Sequence, residues 1–90
     1  MQKYKLISAT SNATGRPSVG TSGRLVGQEV LAHPVTSMEV GESLTIISAA
    51  DTEKIDGIFT SNIIDIDWDG SWRKVTVTTL NTTYVMEETA

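Results

Sequence analysis

The chain has no cysteine, a single histidine and two prolines in 90 residues. Without thiols, neither a disulfide nor a thiolate zinc site can staple so short a fold. The one imidazole, His33, stands before Pro34 at what reads as a strand exit, where a solvated turn residue is expected. There is no Gly-x-Ser-x-Gly elbow, and no nucleophile and base stand at a readable spacing. Cations are also scarce: 7 Lys and Arg face 11 Asp and Glu, for a net charge of −4. They are scattered at Lys3, Lys5, Arg16, Arg24, Lys54, Arg73 and Lys74. A nucleic-acid binder needs a basic face that releases counterions from phosphates, so that class is disfavoured. No apolar run approaches the roughly 18 residues that span a bilayer. Met1 to Ser8 holds two lysines and no apolar segment of signal-peptide length. The expectation is a cytoplasmic protein that is not an enzyme, uses no cofactor and enters no membrane.

Thr, Val and Ile are abundant instead, 29 residues together. Their branched Cβ atoms favour strands. Strands are expected over residues 2–9, 24–32, 43–49, 58–68 and 72–79, with a return strand through Tyr84-Val85-Met86. Residues 50–57 read as a polar connection with room for one helical turn. Residues 10–23, TSNATGRPSVGTSG, hold three Gly, one Pro and many hydroxyls, and read as a long flexible loop. In 58–68 strict alternation sets Ile64, Ile66 and Trp68 against Asp65 and Asp67. Asp69-Gly70 follows as a hairpin turn. A two-residue turn there would pair Ile64 with Val75, Ile66 with Arg73, Asp65 with Lys74 and Asp67 with Trp72. A second turn near Asn81-Thr82 brings Tyr84 and Met86 onto the Val75–Val77 face. The fold class is therefore all-β, one domain over 1–90. The expected architecture is a small antiparallel barrel or curled sheet of five to six strands, SH3-like or OB-like.

Three candidate sites follow. Trp68 continues the apolar stripe, but Trp72 falls on the polar face with Asp65, Asp67 and Lys74, a plausible protein-binding patch with a tryptophan anchor. In the 10–23 segment, Arg16, Ser18, Thr21 and Ser22, with Arg24 beyond it, could receive a small anion such as a nucleotide. Gly15 to Ser22 is no P-loop, because no Lys precedes Thr21. Asp65-x-Asp67-x-Asp69-Gly70 matches the first half of a calcium loop, but its closing Glu would fall on Thr76. In an extended strand Asp65 and Asp67 sit about 7 Å apart, too far to clasp one ion. The simpler reading makes them a solvent face and Asp69-Gly70 the turn.

Val40-Gly41-Glu42-Ser43-Leu44, Phe59-Thr60-Ser61-Asn62-Ile63 and Val75 through Glu87 carry a resemblance. In these segments the chain resembles small single-domain β-barrel accessory proteins of bacteria and phages. That resemblance implies a role of anti-defence type, in which a host protein is occupied or a nucleotide signal sequestered, and it implies no particular binding residue. The partner expected first is a host-derived protein with a basic surface. An anionic ligand held by a homo-oligomer is the alternative.

Overall fold

The computed structural model describes residues 1–49 and 57–89. Seven antiparallel strands form one sheet: β1 Gln2–Ser11, β2 Glu29–Ala32, β3 Thr45–Ser48, β4 Gly57–Phe59, β5 Ile63–Asp69, β6 Lys74–Thr79 and β7 Thr82–Glu88. Their order is β4-β3-β2-β1-β7-β6-β5. One helix, α1 Gly20–Leu25, and a 3-10 turn at Val35–Ser37 complete the described elements. The expected all-β class and curled sheet hold. The strand number is seven rather than five or six, and the sheet does not close into a barrel.

The curl follows from the strand order. β4 and β5 lie at opposite ends of the sheet, yet only Thr60, Ser61 and Asn62 separate them in sequence. So short a link forces the two edges together at one corner. Thr60, which is buried, pins that corner: its hydroxyl accepts the Leu44 N–H at 2.8 Å and donates to the Ser61 carbonyl at 2.8 Å. Ile63 then exchanges backbone bonds with Gly41 and Glu42 at 2.8 Å each. Alternation along the central strands puts Tyr4, Leu6, Val30, Ile46, Val75, Val77, Tyr84 and Met86 on the concave face as the core. Tyr84 pairs with Val77 and Met86 with Val75, as expected from the second turn.

Several expectations are corrected. The 24–32 strand is instead the end of α1, a reversal and β2. Residues 20–25 carry one large apolar side chain, Leu25, and a helical turn buries it fully, whereas Gly27 at φ 86° turns the chain back. The single strand 58–68 is broken at Thr60 into β4 and β5. Of the polar connection expected at 50–57, residues 50–56 lie outside the described residues and Gly57 opens β4. In β1 a bulge between Leu6 and Ser8 breaks the strict alternation and carries Ala9 into the core.

The hairpin register is also displaced. The turn is four residues long, Gly70 to Arg73, and Asp69 pairs with Lys74. The reason is the Asp69 side chain, which folds over the turn and accepts the N–H groups of Ser71 at 3.0 Å and Trp72 at 3.4 Å. Arg73 completes the reversal at φ 53°. The displacement is even, so the faces are kept while every partner changes. Asp65 lies opposite Thr78 and Asp67 opposite Thr76, instead of Lys74 and Trp72. A bulge between Ile63 and Asp65 sends Ile63 into the core and leaves Ile64 exposed.

One buried titratable group links the core to alkaline pH. Tyr4 is fully buried and its hydroxyl donates to the His33 carbonyl at 2.9 Å. Burial, with the nearby Glu88 charge adding to it, pushes the phenol up to about 12. The folded state thus holds this proton more tightly than the unfolded chain does. That stabilisation is complete below pH 10 and is lost as pH rises through 12. About 2 pK units correspond to roughly 2–3 kcal/mol. The unfolding free energy of the wild type, minus that of Tyr4→Phe, should fall by about that amount across this window in urea melts.

Candidate functional site

Two regions collect the candidate residues. The first is the hairpin β5–β6 with its turn. Asp65, Asp67 and Asp69 share the convex face of β5, all exposed. Ile66 and Trp68 share the concave face, opposite Val77 and Val75. Trp68, expected inside the core stripe, is 41% exposed because β5 is the last strand of the sheet among the described residues. Its indole nitrogen lies over Gly70. Trp72, expected within a strand, caps the turn at 71% exposure. Trp72 and Lys74 therefore sit at the turn end of the hairpin, Asp67 and Asp65 lie two and four residues along β5 from Asp69, and the four are not cross-strand partners. Lys74 lies opposite Asp69 on one side and Glu87 on the other. Arg73 pairs with Glu88 at 3.4 Å.

The calcium reading finds no cage. Asp65, Asp67 and Asp69 stand along an extended strand, and one Asp69 carboxylate oxygen is committed to the turn amides. Among the described residues no three His, Cys, Asp or Glu side chains converge to hold a metal ion.

The second region is a cleft of about 450 Å³ lined by Ser11, Thr14, Arg16, Pro17, Ser18, Val19, Ser22, Asn81 and Thr82. The long loop expected at 10–23 becomes the end of β1, a turn and α1. Pro17 bridges back to Thr10, the Ser11 N–H donates to the Arg16 carbonyl at 2.9 Å, and the Ser18 N–H donates to the Ala9 carbonyl at 2.8 Å. Asn12 stitches this turn to the β6–β7 turn: it donates to the Thr79 carbonyl at 2.7 Å and accepts the Thr83 hydroxyl at 2.7 Å. Arg16, Ser18 and Ser22 thus meet in one cleft, with Arg16 its lining cation. Thr21 and Arg24 lie apart from it, and Arg24 donates to the Thr21 hydroxyl at 3.0 Å. Asn81 and Thr82 enter from the β6–β7 turn, a neighbour that only the pairing of β1 with β7 reveals.

His33 is exposed, and its carbonyl rather than its ring is engaged. Among the described residues no helix is long and apolar enough to cross a membrane. No family model, no curated protein and no solved structure matches the chain.

Proposed function

We propose that this chain is a non-enzymatic binding module that occupies a protein partner through the acidic, tryptophan-bearing end of its sheet. The observation that carries the reading is Trp72, 71% exposed at the turn beside Asp69, with the exposed carboxylates of Asp67 and Asp65 further along the convex face of β5 and Trp68, 41% exposed, on its other face. Tryptophan offers a large rigid contact area, and it dominates many interfaces when ringed by polar groups. The carboxylates select a basic partner surface and steer its approach. Occupation of a host protein, as among the small phage accessory proteins that the sequence resembles, is the role this surface suits. Affinity capture from a bacterial host lysate tests it. Trp72→Ala combined with Asp67→Ala should weaken capture at least about 30-fold, the consequence of losing 2 kcal/mol at a hot spot. Both side chains are exposed, so the fold should survive the change. Unchanged capture would remove the patch.

The cleft favours a second reading, sequestration of a small anionic ligand. Arg16, the hydroxyls of Ser18 and Ser22, and the Asn81 amide can together bind one anionic group on a polar body. Assembly of several copies would enclose it further.

A further inference from the structure

We infer that β5 is an acceptor edge. An extended segment of the basic partner, with Lys or Arg at alternate positions and apolar residues between them, adds to it as a further strand. The inference rests on the protein-binding reading above and specifies the partner's contacting segment.

The backbone comes first. One flank of β5 pairs with β6 from Ile63 to Asp69. On the other flank, among the described residues, only Ile63 is engaged, by Gly41 and Glu42. From Ile64 onward no strand among the described residues lies beside the outward N–H and C=O groups. Such a row is a template for an incoming chain.

The convex face sets the charge of that chain. Across the sheet one row reads Glu29, Lys5, Glu87, Lys74, Asp69, alternating in sign over five strands. It stops on an acid, so the next position calls for a cation. The two neighbouring rows end at Asp67, beyond Thr76, and at Asp65, beyond Thr78. Neither carboxylate has an ion pair among the described residues. Three cations at alternate positions of an added strand would complete all three rows, and directly opposed unlike charges stabilise a strand pair.

The concave face sets the residues between. Ile66 is half-buried and Trp68 41% exposed, because the sheet stops beside them. Apolar side chains on an added strand would cover both and extend the core. A second copy of the chain is the wrong occupant. Antiparallel pairing of two β5 edges would set the Asp65–Asp69 carboxylates against their own kind, and like charges directly opposite are destabilising.

The test uses a short capped peptide alternating Lys and Val. Its controls are a peptide of the same composition with the lysines and valines in separate blocks, and the alternating peptide N-methylated at every second residue. Tryptophan fluorescence reads binding, and amide hydrogen exchange reads the strand. The alternating peptide should bind at least about tenfold tighter than the block peptide, and N-methylation should abolish binding. Exchange of the outward-facing amides within 64–69 should slow, and Asp67→Lys should cost about tenfold in affinity. Equal binding of the two sequences with no slowing of exchange overturns strand addition. If such binding is still lost in the Trp72→Ala, Asp67→Ala variant, the protein-binding reading stands without it. No binding of the alternating peptide also overturns strand addition, and lysate capture then judges the broader reading separately.

Discussion

Replacing Leu6 with alanine is expected to lower the unfolding free energy by about 3–4 kcal/mol, and replacing Ile64 with alanine by under about 1 kcal/mol. Leu6 is fully buried on β1, between β2 and β7, and pairs with Met86. Its own backbone accepts the Gly27 N–H at 2.7 Å and donates to the Gln28 carbonyl at 3.0 Å. Those bonds fix the backbone on that flank, so the void left by truncation cannot collapse, and the cost rises with the residual cavity. Ile64 is 51% exposed at the β5 bulge, where truncation removes little buried surface. A domain of this size is stabilised by roughly 5–13 kcal/mol in total. Leu6→Ala should therefore lower the urea midpoint by about 2 M or more at unchanged slope, with Ile64→Ala close to wild type. Equal effects of the two changes would put Ile64 in the core and contradict the bulge.

That pair of residues shows how much of the fold was legible. Alternation distinguished the Ile66–Trp68 face from the Asp65–Asp67 face, because side chains on a strand change sides every residue. It could not find the bulges in β1 and β5, because an extra residue leaves no mark in composition. The Asp69-Gly70 turn was visible, but its length depended on where one carboxylate oxygen pointed. Asp69 satisfies the Ser71 and Trp72 amides, so the turn takes four residues and the register moves. Closure failed as an expectation for a different reason. The edges meet at one corner, where Thr60 bonds Leu44 and Ile63 bonds Gly41 and Glu42, and among the described residues no strand pairs with the outer flank of β5 beyond it.

The candidate sites divide the same way. Trp72 could be read as exposed, since it stood among charges. Trp68 could not, since its exposure depends on β5 being the last strand. Closeness in sequence groups Arg16, Ser18, Thr21, Ser22 and Arg24, and the fold keeps Arg16, Ser18 and Ser22 in one cleft while Thr21 and Arg24 stay out of its lining. Asn81 and Thr82 reach the same cleft from some 60 residues away through the pairing of β1 with β7. No local pattern carries that juxtaposition.

Gly23→Ala should be the most damaging change at the cleft, although helix propensity favours it. In an exposed helix interior alanine gains about 1 kcal/mol over glycine. Here a Cβ at position 23 would collide with the Ser18 carbonyl oxygen, a backbone atom that cannot step aside alone. Ser18 is itself tied to the Ala9 carbonyl through its N–H at 2.8 Å, so relief requires α1 or the turn before it to move. Overpacking costs about 1–3 kcal/mol and occasionally more, and a backbone contact belongs at the upper end, so the net sign is destabilising. Gly57→Ala is the matched control: its Cβ would meet the Ile47 Cγ2 methyl at 3.2 Å, a side-chain contact that is relieved by a shift of a few tenths of an ångström. Thermal melts should place Gly23→Ala several degrees below Gly57→Ala. The same substitution displaces Ser18 and Ser22 relative to Arg16, three groups that must converge if an anion is to be held. A nucleotide panel that raises the melting temperature of the wild type should therefore leave Gly23→Ala unshifted, with binding at β5 intact in both. If no nucleotide shifts the wild type, the cleft is only the seam between two turns, and the acidic edge is left as the binding surface.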